Sequence, residues 1–348
     1  MGNERNQFID YLKGILIVLV TVGHAFQFGL YQDERVWAHP LFKGIYMFHM
    51  PLFMGISGYL SYTGIIKVKF LKFSVNKLKA YLIPIIAWAI LYRSFDFLME
   101  ADFKLVALPS MIVSEIFSSL WFIWALLGCL LVTVAIHSIG RNFLALYIIS
   151  FFLVLLLPEY GNIVMFKYMY PYFQVGFLLA SRPSLHWSDG ARFCLVGGAL
   201  SVAVLCYLSW DRNSYIYFSG MHLSQGNFWN ICIRYLGGFA GSVFAIEALK
   251  FLYGKINRKI ENGIETLGRD SIYIYILQGY AYIIVARIFT KWMPQIDEGW
   301  FHTLLGIILG ILVAVACWLG GKILTYNPLM GQILFGKARK LPAPPPSN

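Results

Sequence analysis

Along the chain, apolar residues gather in ten blocks separated by short loops that hold most of the Lys, Arg, Asp and Glu. The blocks fall at 8–30, 42–63, 81–98, 119–137, 143–158, 163–180, 192–210, 228–252, 271–290 and 302–325. Most have the roughly 18 to 25 residues that an α-helix needs to cross the hydrocarbon core of a bilayer. The pattern predicts an all-α, polytopic transmembrane helix bundle of about ten helices. The fifth block is short, and fits a tilted or re-entrant segment as well as a full crossing.

With ten spans both termini share a side, so the loops divide into two alternating sets. One set, with Arg5, carries eighteen of the 28 basic residues, including Lys67, Lys69, Lys72, Lys77 and Lys79, and Lys250 through Arg269. The other carries most of the acids, among them Asp33, Glu34, Glu100, Asp102, Glu115, Glu159, Asp211, Asp297 and Glu298. The positive-inside bias then places both termini in the cytoplasm.

Composition agrees with this layout: 59% of the residues are apolar and 13% charged, about half the charged share of an ordinary soluble domain. The net charge of +11 follows the loops and forms no basic patch interleaved with exposed aromatics, so no nucleic-acid partner is expected. The first block is too long and too polar within to be a cleaved signal and reads as a retained helix. Cys129, Cys194, Cys206, Cys232 and Cys317 lie in apolar blocks without a CxxC pair; they read as small buried hydrophobes, and no metal site is expected. Residues 1–336 form one membrane domain, and 337–348 a basic, Pro-rich cytoplasmic tail that cannot make regular helix. No internal repeat, P-loop, paired-carboxylate or GxSxG signature is present.

Chemistry must therefore come from polar residues inside the spans, where ionisable groups are costly and mark a site or pathway. In the first span, Asp10, Lys13 and His24 stand out. Lys13 and His24 are eleven residues apart, so they share nearly one helix face at about 16 Å along the axis. Position alone also fits a snorkelling lysine with Asp10 as its i,i+3 partner, and a buried neutral imidazole. The second span runs antiparallel and brings His49 to the depth of His24, followed by Pro51, Gly55, Ser57 and Gly58; this run suits a packing seam as well as a site. Arg93, Arg234, Trp121 and Ser57 are candidates for holding a hydroxylated or anionic acceptor. For the arginines an ion pair with Asp96 or another acid is the plain alternative, and for Trp121 an interfacial belt position is.

Phe8-Ile9-Asp10-Tyr11-Leu12-Lys13-Gly14 with His24, Phe48-His49-Met50-Pro51-Leu52-Phe53 with Ile56-Ser57-Gly58-Tyr59, Leu120-Trp121-Phe122, and Leu267 through Leu277 resemble the membrane-bound acyltransferase 3 family, with the second span most similar to its fucose 4-O-acetylase-like branch. The resemblance implies an O-acetyltransferase of a bacterial inner membrane. It implies acetyl-CoA as co-substrate with no permanently bound cofactor, and a hydroxyl of a cell-envelope carbohydrate or lipid-linked glycan as acceptor. The family's basic residue and essential histidine map onto Lys13 and His24. Lys13 departs from the commoner Arg, and Gln278 stands where many members have His. On this basis His24 and His49 are expected to be catalytic, by direct transfer or through an acetyl-histidine, and Lys13, Asp10, Lys77 and Lys79 to hold the donor's phosphates. A transporter or flippase of a lipid-linked sugar is the competing class.

Overall fold

The computed structural model describes residues 6–31, 33–67, 70–99, 105–139, 143–182, 188–292 and 299–337. Arg5, Lys69, Glu100, Asp102, Asp297, Glu298 and all of the expected tail beyond residue 337 lie outside them. The chain is all-α, and each of the ten expected blocks lies on a helix: α1 (Gln7–His24), α2 (Pro40–Lys67), α3 (Phe70–Met99), α5 (Trp121–Ile139), α6 (Phe143–Leu155), α7 (Ile163–Ala180), α8 (Asp189–Leu208), α10 (Phe228–Leu252), α12 (Ser271–Trp292) and α13 (Trp300–Leu324). Among the described residues, three further helices, α4 (Leu108–Ser118), α9 (Ile216–Ser219) and α11 (Arg258–Arg269), lie between them, and a fourth, α14 (Pro328–Phe335), follows the last. Six segments among the described residues are long and apolar enough to cross a membrane by length and composition.

Helices α1 and α2 form the centre. Two thirds of the apolar window of α1 is buried (67%), against 11% for α8, so α8 presents Phe193, Leu205 and Leu208 outward as a lipid-facing helix does. α1 packs on α2, α11, α12 and α13, and α2 on α1, α7 and α10. Glycines let these backbones approach. A Cβ on Gly58 would lie 2.0 Å from the Phe173 carbonyl oxygen, and one on Gly176 1.9 Å from that of Gly55, so the Gly55–Gly58 run is the α2–α7 seam. Gly14 and Gly268 make the equivalent contact between α1 and α11.

Two loop expectations change. Lys72, Lys77 and Lys79 lie on the first turns of α3, not in a loop, because that helix runs on past its apolar block with lysines on its polar end. The charged stretch 258–269 is also helical: Glu261 and Glu265 are buried against Arg258 while Ile260 faces out. Helix α6 has 13 residues, about 20 Å, well short of the hydrocarbon thickness. Of the cysteines, Cys129, Cys206 and Cys317 are buried as expected, whereas Cys194 is exposed on α8.

Candidate active site

His24 closes α1, and the chain continues from it as a seven-residue π-helix, Ala25–Tyr31. Wider turns of this kind are rare and recur at functional sites. The His24 ring lies edge-on to Phe28 and Tyr282, with centroids 5.3 and 6.0 Å away. The Gln278 side chain faces it from α12, while Gln278 Nε2 donates to the Tyr275 carbonyl at 3.3 Å. Gly23 leaves room for the Tyr46 ring, which a Cβ there would meet at 2.8 Å. Tyr46 in turn donates to Gln27 Oε1 (3.0 Å) and packs 5.0 Å from His49.

His49 is buried, and its Nδ1 lies 2.7 Å from the Ile45 carbonyl oxygen. A carbonyl can only accept, so Nδ1 carries the proton and Nε2 is the nitrogen with the free lone pair. This is the tautomer of a proton acceptor.

Three adjoining cavities surround these residues. The first, about 360 Å³, is bordered by Lys13, Ser57, Lys77, Tyr81, Phe122 and Tyr275. The second is a chamber of about 50 Å³ between Val20, His24, Tyr46, His49, Met50, Trp121 and Tyr275. The third, about 900 Å³, opens at the His24 end and is walled by Trp37, Trp88, Tyr92, Trp121, Tyr280 and Tyr282, with Glu115 and Gln278. The cavity at the Lys13 end shares Val20 and Met50 with the chamber, and the chamber shares His24 and Trp121 with the large cavity. Space thus runs in steps from Lys13 to the far side of His24.

Lys13 and Lys77 border the same cavity, and the Lys77 ammonium lies over the Phe73 and Tyr81 rings at 5.6 and 5.7 Å. Lys79, two residues after Lys77 on α3, is exposed and does not border that cavity. Asp10 is buried in the α1–α11 crossing, where its carbonyl meets Gly268, and does not border the cavity either. Ser57 is on the Lys13 side, not the acceptor side, and donates to Phe53 O at 2.9 Å. Trp121 stands between chamber and large cavity.

The two arginines differ: Arg234 borders the chamber and Arg93 does not. Arg93 is drawn into ion pairs with Asp96 (3.1 Å) and Glu115 (2.7 Å), which tie α3 to α4, and it borders none of the three cavities. Arg234 is almost fully buried and has all five N–H donors engaged. Nε bonds the Ser214 carbonyl (2.8 Å), Nη1 the Gly220 carbonyl and Met221 Sδ, and Nη2 the Asn213 carbonyl (3.0 Å) and Ser219 Oγ. It therefore clamps the 213–221 segment, which carries Tyr215 and Tyr217 into the chamber wall. Lys167, buried in α7, holds the same segment through Glu159, whose Oε1 also accepts Met221 N–H.

Sequence reasoning missed Tyr46, Tyr215 and, above all, Tyr275 and Tyr282. The last two had a usable signal, since Tyr275, Gln278 and Tyr282 recur at i, i+3 and i+7 on one face of α12.

A family profile described as Acyltransferase domain matches residues 6–319. The chain is 31% identical over 289 residues to a Nodulation protein NolL of Sinorhizobium fredii (strain NBRC 101917 / NGR234), covering 80% of this chain and 78% of that protein. It is 28% identical over 335 residues to a Nodulation protein NolL of Mesorhizobium japonicum (strain LMG 29417 / CECT 9101 / MAFF 303099), covering 90% and 86%. No solved structure matches it.

Proposed function

Because this chain belongs to the acyltransferase 3 family and is a multi-pass membrane acyltransferase, we propose that it moves an acetyl group from cytoplasmic acetyl-CoA to a hydroxyl of a cell-envelope carbohydrate. The membrane is a bacterial inner membrane, with both termini of the chain inside. The observation that carries this reading is the stepped series of cavities joining Lys13 to His24.

Lys13 and Lys77 offer positive charge to the phosphates of the donor at the cytoplasmic mouth. The pantetheine arm then spans the roughly 16 Å of helix between Lys13 and His24 and carries the thioester to the chamber. The large cavity receives the acceptor. Its volume of about 900 Å³ and its Trp and Tyr walls suit a sugar unit, which stacks on aromatic faces while Glu115 and Gln278 accept or donate to hydroxyls.

His24 borders both chamber and large cavity, so one imidazole meets the thioester and the acceptor hydroxyl at once. That position supports direct transfer, with His24 taking the hydroxyl proton as the oxygen attacks the acyl carbon. His49, held as the Nδ1–H tautomer, supplies a second proton-accepting nitrogen in the same chamber.

The test uses membranes holding the full chain or its His24→Ala variant, incubated with radiolabelled acetyl-CoA. Loss of a general base lowers the rate roughly 10²- to 10⁴-fold, so label in the glycan fraction is expected to vanish while the protein stays in the membrane. Undiminished labelling by the variant would sink the role given to His24, and no labelling by the unaltered chain would sink the acetyl-transfer reading.

A further inference from the structure

Tyr275, on α12, borders all three cavities, and among the described residues no other does. It is the common wall at the point where donor space, chamber and acceptor space meet.

Its hydroxyl oxygen accepts the backbone N–H of Phe122 at 3.0 Å. Phe122 is the second residue of α5. The first N–H groups of a helix have no carbonyl partner within it and sit at the positive end of its dipole. The chain reaches this helix start through Leu120, whose φ of 47° is left-handed, a conformation that costs energy for a side chain branched as leucine is. Beside it, the buried Ser119 hydroxyl on the large cavity has no partner. Strain and an unsatisfied polar group thus cluster where the phenol docks.

A tyrosine hydroxyl has one proton to give. With its oxygen accepting from Phe122, the Tyr275 proton is left over, and among the described residues no protein acceptor takes it. Accepting from a helix N-terminus also makes the O–H a stronger donor, because bonds in a chain polarise one another. Gln278 continues the arrangement one turn further on: it donates to the Tyr275 carbonyl and faces His24. Gln278 and the phenol are therefore set on neighbouring turns of one face of α12, with Gln278 turned to the base on α1.

Resting on the acyl-transfer function proposed above, we infer that Tyr275 is a further catalytic residue, the donor that stabilises the oxyanion of the thioester carbonyl during transfer. The acceptor oxygen forms a bond to the acyl carbon as its proton passes to His24, and the carbonyl π electrons move onto oxygen, which accepts the Tyr275 O–H. On collapse the C=O bond re-forms, the C–S bond breaks, and the departing thiolate takes the proton from His24. The products are the ester and the free thiol of CoA, and the phenol keeps its proton throughout.

The experiment compares wild type, Tyr275→Phe and His24→Ala in membranes supplied with radiolabelled acetyl-CoA and the endogenous glycan. Removing a single oxyanion donor lowers kcat roughly 10²- to 10³-fold. Tyr275→Phe is expected to show that loss with a KM for acetyl-CoA within about threefold of wild type, the signature of an interaction made only in the transition state. A kcat within threefold of wild type, or a loss confined to KM, overturns the assignment. If His24→Ala is inactive and Tyr275→Phe is not, the Tyr275 role alone fails; if His24→Ala is fully active, the base role of His24 and the transition state built on it fail; if the wild type itself puts no label in the glycan, the acetyl-transfer reading fails. Should Tyr275→Phe not reach the membrane, 3-fluorotyrosine incorporated at position 275 keeps the ring and acidifies the phenol. Its kcat is expected to fall on raising the pH, as the donor deprotonates, at lower pH than in wild type. An unchanged pH profile overturns the proposal.

Discussion

Gly58→Ala puts a methyl group into the α2–α7 seam 2.0 Å from the carbonyl oxygen of Phe173, where ordinary contact begins at 3.4 Å. The obstacle is backbone, so no side-chain rotation relieves it, and the two helices must part by more than an ångström. Alanine is intrinsically about 1 kcal/mol better than glycine in a helix. Overpacking costs about 1–3 kcal/mol, and with a rigid carbonyl in the way the upper end applies, which leaves a net destabilisation of about 1–2 kcal/mol. Activity suffers more. His49, the second base of the proposed mechanism, sits nine residues earlier on the same helix, and a misplacement of about 1 Å at a reacting group costs up to about 10²-fold in rate. Thermal unfolding of the purified chain in nanodiscs gives the first quantity, and acetyl transfer in membranes the second. Gly197→Ala on α8 is the control, since a Cβ there meets nothing within 4 Å, and it should leave Tm unchanged or raised. A Gly58→Ala protein as stable as the Gly197→Ala control and fully active would refute the argument that this seam sets the position of His49.

Two further outcomes are expected. Arg234→Lys keeps the charge but replaces a five-donor fork by three donors on one atom, leaving at least two acceptors of the 213–221 segment unmatched at about 1–3 kcal/mol each; limited proteolysis should cut that segment faster, with no change elsewhere in the chain. Glu261 lies in α11, outside the membrane-spanning helices. Burial pushes its carboxyl up, but the Gly254 N–H and the Arg258 guanidinium outweigh this and hold it below the usual carboxylate range. A lowered folded-state pKa means stability that is present above the ordinary carboxylate pKa and is lost as pH falls through the folded value, so Glu261→Gln should flatten the acid side of the Tm–pH curve.

The ten helical blocks were legible because bilayer thickness imposes a length on a crossing, and Lys13 and His24 stood out as candidates because charge in a span is costly. Arg234 marks the limit. Its cost was visible, but its partners are backbone carbonyls of a loop, which have no sequence signature. Arg93 was resolved toward its plain alternative by Glu115, a residue far along the chain whose proximity depends on how α4 folds back. Helix α11 read as a loop because its charges dominate. Its buried face is the one bearing Glu261 and Glu265, so a rule that turns apolar residues inward would have inverted it. The π-helix after His24 has no compositional mark at all.

Between Lys13 and His24, α1 is unbroken α-helix, without proline, and the first irregularity comes only after His24. The separation of these two side chains is therefore set by the hydrogen bonds of one helix and not by how neighbouring elements pack. On the proposed transfer from acetyl-CoA, α1 would act as a ruler for the donor's pantetheine arm. Inserting one residue between them would lengthen the span by about 1.5 Å and swing His24 round by about 100°, away from the chamber. Inserting four would restore the face but add about 6 Å, which a pantetheine arm of fixed length has to make up. A thioester on a truncated arm would meet the opposite mismatch, gripped at the mouth and out of reach of the imidazole.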